Sequence, residues 1–307
     1  MTNLYLITGF LGAGKTTFLK GFARLFQREK IYVIVNEFGK AGVDGALLKE
    51  LGASLAEVNN GSIFCACRLD KFEEVLAQAL IAQPDVILVE ASGLADPTNV
   101  RKVLKQQQFD EICYKGSVCL VDTVRFEKII DTARVCKKQL AVSSVVLLNK
   151  TDLATPDKIS FAKEKIHALN PTIVFHETTY GAFKEEWLDD IVPQTAVDEA
   201  THGADITLQK ALVHISKDMN LSQLHSFLSM MSDDTYRMKG FVALGESEYL
   251  VDCVSGMIDI TPFSDAPRDD IGKIVLLAGA GMPLRKSLKT AAEWYGDYVE
   301  VEKTHET

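Results

Sequence analysis

Residues Gly9-Phe10-Leu11-Gly12-Ala13-Gly14-Lys15-Thr16 match the spacing G-x-x-x-x-G-K-[ST] without departure. The match constrains the fold because of what surrounds it. A short apolar run, NLYLIT (3–8), precedes it, and TTFLKGFARLF follows with Phe18, Leu19, Phe22 and Leu25 on one helical stripe. Strand, glycine loop and helix in that order form a phosphate cradle. The glycines let the backbone N–H groups close around an anion, and the helix start adds positive potential. In such a loop Lys15 reaches the outer phosphates and the Thr16 hydroxyl serves Mg2+. Gly9, Gly12, Ala13, Gly14, Lys15, Thr16 and Thr17 are therefore the expected phosphate and Mg2+ contacts.

Further apolar runs follow at KIYVIVNE (30–37), DVILVEAS (85–92), GSVCLVDT (116–123) and SSVVLLNK (143–150), with an amphipathic helix over 70–82. Near-continuous apolar strands separated by helical stretches predict a parallel sheet covered on both faces. The fold expected is α/β, of the P-loop NTPase type, a doubly wound and mostly parallel sheet. The pattern changes at PQTAVDEATHGADIT (193–207), which is short of large apolar residues. KALVHIS, NLSQLHSFLSMM, RMKGFVALG, YLVDCVSGMIDITP and KIVLLAGA then read as strand, helix and strands. The expected division is a nucleotide domain at 1–195, a linker at 196–207 and a smaller α+β domain at 208–307.

The chain has 307 residues and a formal net charge of -9. A negative field argues against nucleic acid as a partner. No apolar stretch is long enough to span a membrane, and the amino terminus breaks into glycines too early for a signal peptide. A cytoplasmic protein with reduced thiols is expected, so the six cysteines do not suggest a disulfide framework.

Asn149-Lys150-Thr151-Asp152 closes the fifth apolar run. A carboxylate such as Asp152 accepts two hydrogen bonds from guanine N1–H and its exocyclic amine, a pattern adenine lacks. The Lys150 stem can lie along the base. The third run ends in Glu90, where a Walker B strand ordinarily ends in Asp serving Mg2+.

Glu90 followed by Ala-Ser92-Gly93, with GFLGAGKTT, VNEFG (35–39), GVDG (42–45), VEASGLADP (89–97), QLAVSSVVLLNKTDL (139–153) and RMKGFV (237–242), resembles the CobW-like branch of the metallochaperone P-loop GTPases. The branch's relatives include the nickel-assembly GTPases of urease and hydrogenase and cobalamin-related GTPases. The resemblance implies slow hydrolysis of GTP to GDP on Mg2+, with Lys15, Glu37 and Glu90 as catalytic groups. Thr16 and Glu90 serve Mg2+, and Asn149, Lys150 and Asp152 serve guanine. The partner implied is a client metalloprotein or a cofactor-assembly protein.

The family pattern Asn-Gly-Cys-x-Cys-Cys places thiolates on a transition metal. This chain has Asn60-Gly61-Ser62-Ile63-Phe64-Cys65, with Cys67 added. In an extended segment Cys65 and Cys67 face one way and suit a soft ion such as Zn2+ or Co2+, with Glu37 as a further ligand. Two other readings stand beside it: core packing, since free cysteines are often buried, and a redox pair, against which the strain of a C-x-C disulfide counts. The same openness holds for function. Delivery of a metal or metallocofactor driven by GTP is one reading; a regulatory GTPase switch working through protein contacts, with structural cysteines, is the other.

Overall fold

The structure is a computed structural model. It describes residues 1–35, 53–57, 69–194, 208–254, 256–263, 270–279 and 281–302. Glu37, Cys65, Cys67 and the whole of the expected linker lie outside the described residues. The chain divides into two compact units, Met1–Ala204 and Asp205–Thr307.

The first unit is built on seven parallel strands. They are β1 (Thr2–Gly9), β2 (Ile31–Val35), β3 (Ser54–Glu57), β4 (Val86–Glu90), β5 (Ile112–Asp122), β6 (Val145–Asn149) and β7 (Val174–Glu177), in the spatial order β3-β2-β4-β1-β5-β6-β7. β1 lies at the centre, and the phosphate loop hangs from its carboxyl end. Alternation along β1 explains the two-sided core. Tyr5 and Ile7 pack with Phe18, Leu19 and Phe22 of helix α1 (Lys15–Ala23), while Leu4 and Leu6 pack with Phe72 and Leu76 of helix α2 (Leu69–Ile81). Burying both faces removes the alternating polar residues that a half-solvated strand would show.

Two strands have no counterpart in the apolar runs. β3 (SLAE) and β7 (VFHE) are four-residue edge strands paired on one side only, so little of their sequence needs to be apolar. β5 begins earlier than its apolar run, at Ile112, and its register with β1 shifts between Leu4 and Tyr5.

The second unit is an antiparallel sheet of six strands: β8 (Leu208–Ile215), β9 (Arg237–Leu244), β10 (Ser247–Val254), β11 (Met257–Pro262), β12 (Lys273–Gly279) and β13 (Val299–Val301), in the order β11-β10-β9-β12-β8-β13. Its helix Leu221–Ser229 starts with a capping box, in which Asn220 and Gln223 satisfy each other's backbone N–H groups. No described helix is long and apolar enough to cross a membrane.

Candidate nucleotide and metal site

The loop after β1 needs its glycines. Gly9, Gly12 and Gly14 have φ of 136°, 74° and 98°. A Cβ on Gly9 would stand 2.3 Å from the Leu120 carbonyl oxygen, and one on Gly14 would stand 2.5 Å from Asn149 Nδ2. Side chains are thus excluded by both backbone angle and space. Helix α1 has no side-chain cap and no acidic residue in its first turn, so its positive end is not offset by a carboxylate of its own and suits an anion. Lys15 is buried, and its Nζ donates to the Phe10 carbonyl at 3.2 Å, folded over the loop it serves. Thr17 is exposed on the same turn.

Thr16 Oγ1 donates to Glu90 Oε1 at 3.0 Å. Glu90 ends β4, is 3% exposed, and pairs in register with Ile7 of β1. A hydroxyl and a carboxylate brought together at the phosphate loop form an all-oxygen donor set. Mg2+ takes such sets, keeping waters and adding phosphate oxygens. The residues present therefore fit that ion. The row continues sideways: Val35 pairs with Glu90, and Glu57 pairs with Val35.

At the other end of the loop stands Asn149, 2% exposed. Its Nδ2 donates to the Ala13 carbonyl at 2.8 Å, and its Oδ1 accepts from Gly181 N–H at 3.0 Å. Both polar atoms are thus committed to backbone, and the side chain braces the phosphate loop against the turn after β7. Lys150 has a left-handed backbone, φ 62°, and its Nζ reaches Asp122 Oδ2 at 2.6 Å. Asp122 is buried at the end of β5, and its Oδ1 also accepts from Val124 N–H. Asp152 sits exposed in the single turn Thr151–Leu153, with its carboxylate open to a base. Thr151 is tied through N–H and hydroxyl to the Thr178 carbonyl, which fixes the turn against β7.

Three features had gone unread in the sequence. Asp122 fixes Lys150, and its signal was the VDT at a strand end paired with the NKTD strand. The turn 178–181 supplies the Gly181 N–H and carried no motif. Gln139, fully buried on the helix Arg134–Val142, donates through Nε2 to the Gly93 and Ala95 carbonyls at 3.1 and 3.3 Å.

The remaining cysteines are dispersed. Burial pushes the Cys136 and Cys253 thiols up to about 12 and the Cys119 thiol well above its ordinary value, so these three are packing residues at neutral pH. Cys113 is half-buried, and all four described cysteines are free thiols. Among the described residues no group of three or more His, Cys, Asp or Glu is placed to hold a metal ion. His176 stacks on Trp187 at 4.1 Å and meets Asp190 Oδ2 at 2.8 Å, while His214 meets Glu302 at 3.2 Å. Arg237 forms a two-pronged pair with Asp252, and Lys239 approaches the same carboxylate at 3.7 Å, a cross-strand ion cluster within the second unit.

Comparison with known proteins fits this geometry. The family described as CobW/HypB/UreG, nucleotide-binding domain, matches residues 3–177, and the cobalamin synthesis protein cobW C-terminal domain matches residues 209–291. The zinc chaperone YeiR of Escherichia coli is 36% identical over 162 residues, 51% of this chain and 49% of that one. The zinc chaperone YjiA of the same organism is 30% identical over 186 residues, 57% of each chain. The zinc-regulated GTPase metalloprotein activator 1 of Schizosaccharomyces pombe is 27% identical over 198 residues, 61% of this chain and 46% of that one. The matches span about half the length of these curated relatives.

Proposed function

We infer function from one premise: the chain belongs to the CobW/HypB/UreG family of nucleotide-binding proteins. On that footing it is a cytoplasmic GTPase that binds GTP with Mg2+, hydrolyses it slowly, and couples the state of the nucleotide to delivery of a transition metal to a client protein. Zn2+ is the favoured cargo, in keeping with relatives named as zinc chaperones, and Co2+ is the second choice.

The work divides among named groups. The loop N–H groups, Lys15 and the start of α1 hold the outer phosphates, which places the charge that develops during hydrolysis against fixed positive ends. Thr16 and Glu90 hold Mg2+, which when bound neutralises phosphate charge. Asp152 reads guanine, Lys150 covers the base with its stem, and Asp122 keeps that stem in place. Asn149 makes the phosphate end and the base end one unit.

One observation carries the link to cargo: Ile7, Glu90, Val35 and Glu57 form a single row across the sheet. The chain enters the stretch holding Glu37 directly from Val35, and the stretch holding Cys65 and Cys67 directly from Glu57. Both follow in sequence from residues of the row that contains the Mg2+ carboxylate. A change at the terminal phosphate can reach the proposed thiolates across this hydrogen-bonded row and then along the chain that continues from Glu57, and linkage makes the effect reciprocal.

The test is a Co2+ titration of the reduced protein, first with a GTP analogue and then with GDP, following thiolate charge-transfer bands. A cargo site linked to nucleotide gives bands whose midpoints differ by about tenfold between the two states. The Cys65→Ser, Cys67→Ser double variant loses them while still binding nucleotide. Absence of bands in both states sinks the delivery reading and favours a switch that works through protein contacts, consistent with Ser62 and Phe64 standing at two family cysteine positions.

A further inference from the structure

The turn that follows Glu90 is held from behind. Ala91 N–H bonds to the Ile7 carbonyl at 2.9 Å, and Ala95 N–H closes the turn on the Ser92 carbonyl at 2.9 Å. Gly93 lies hard against the phosphate loop: a Cβ there would stand 2.6 Å from Leu11 N and 2.9 Å from Leu11 Cα. Its carbonyl turns to Gln139, as does that of Ala95. One residue further, Asp96 Oδ2 accepts from Lys138 Nζ at 2.6 Å, while Asp96 Oδ1 caps Thr98 N–H. Two neighbouring residues of one helix therefore grip the turn at three points.

That helix belongs to the rigid frame. The Ser143 hydroxyl donates to the Gln139 carbonyl at 2.8 Å. Asn170 Nδ2 donates to the Leu140 and Ser143 carbonyls, and Ser144 N–H bonds to Ser117 of β5. The grip thus refers the turn to the sheet.

Gln139 is an odd choice if packing were its task. Its Oε1 is buried and has no hydrogen-bond partner among the described residues. Turning the amide over would set an oxygen against two carbonyls, so the orientation is fixed by its neighbours. A buried, unsatisfied carbonyl is destabilising, and here it accompanies an amide nitrogen that serves two backbone carbonyls of one turn. The polar end is retained where it directs the backbone that abuts the phosphate loop.

We propose that Gln139, seconded by Lys138, is a positioning residue for nucleotide discrimination: it sets the Ser92–Ala95 turn so that the site favours a triphosphate over a diphosphate. The inference rests on the function proposed above and adds to it a residue on the helix that precedes the strand ending at Asn149, outside the phosphate loop and the guanine-reading turn.

The test uses the full chain with Mg2+ and compares wild type, Gln139→Leu and Lys138→Met. Affinities for a GTP analogue and for GDP are measured by fluorescence titration, kcat and KM by phosphate release, and folding by thermal melting. Gln139→Leu is expected to weaken the analogue by about tenfold and to lower kcat, with GDP affinity within about twofold and a lower melting point, because the Gly93 and Ala95 carbonyls lose their donor. Lys138→Met, which cuts a half-exposed contact, shows the same selectivity change at smaller size. Equal weakening of both nucleotides marks a merely structural residue and overturns the inference, as does no change in either. Should Gln139→Leu fail to fold, Lys138→Met alone decides by the same comparison. Wild-type protein that binds no guanine nucleotide refutes the functional reading itself, and that arm is independent of both variants.

Discussion

Replacing Asn149 with alanine removes a side chain that joins the phosphate loop to the turn after β7. Two hydrogen bonds vanish, at 2.8 and 3.0 Å, and the Ala13 carbonyl and Gly181 N–H are left behind in a buried setting. A stranded buried backbone group costs about 1–3 kcal/mol, and relaxation or water entry recovers part of that. The first unit should therefore lose roughly 2–4 kcal/mol. At a slope of about 2–3 kcal/mol per molar urea, the unfolding midpoint falls by about 1 M with the slope unchanged. GTP and GDP should weaken together, because the brace serves the loop rather than the terminal phosphate. A cycle with Gly14→Ala sharpens the argument. Alone, that change drives a Cβ to 2.5 Å from Asn149 Nδ2 and strains a φ of 98°. With Asn149 already truncated, the collision disappears and only backbone strain of about 1–2 kcal/mol remains. The double variant must lose less than the sum of the singles. Additivity within about 0.5 kcal/mol, or an Asn149→Ala protein as stable as wild type, would refute the reasoning.

Asp122→Asn keeps the bond from Val124 N–H and removes the charge that holds Lys150. Both guanine nucleotides should bind about threefold to tenfold more weakly in fluorescence titrations, and equal binding by the variant would show that Lys150 needs no anchor. The buried thiols make an alkaline prediction. With Cys136 raised to about 12 from an ordinary value of 9.0, the folded chain keeps a proton that the unfolded chain releases. The thiol therefore costs no stability below pH 9. Above that, stability falls by about 1.4 kcal/mol per pH unit until the folded thiol also ionises near 12. Urea unfolding at pH 8, 9 and 10 should show a shallower decline for Cys136→Ala than for wild type; parallel declines would count against it.

Much of this was visible in the sequence because of burial. β2, β4 and β6 are each buried along their whole length apart from Tyr32, and they announced themselves as apolar runs. The edge strands β3 and β7 did not, since pairing on one side asks little of their side chains. The phosphate loop was legible because its spacing is dictated by backbone angles and by contacts a Cβ would violate. Asn149 was expected at the base, and beyond that expectation its side chain spans to Ala13 and Gly181. Those partners lie far away in sequence, and no local pattern could name them. Gln139 was hidden for a related reason: an amide on an amphipathic helix looks like a surface residue until its 0% exposure is known.

The seven parallel strands all end at the same rim of the sheet, and there the loops with chemistry gather. The opposite rim is crossed by residues 28–30, 83–85, 110–111 and 170–173. Its contacts, such as Thr2 Oγ1 to the Pro84 carbonyl at 2.7 Å and Lys30 N–H to Asp85 at 2.8 Å, merely close the ends of strands. A chain so arranged can be lengthened, labelled or tethered along that second rim with the length of the strands between the alteration and the nucleotide. For this protein the direction of the strands separates what can vary from what must be kept.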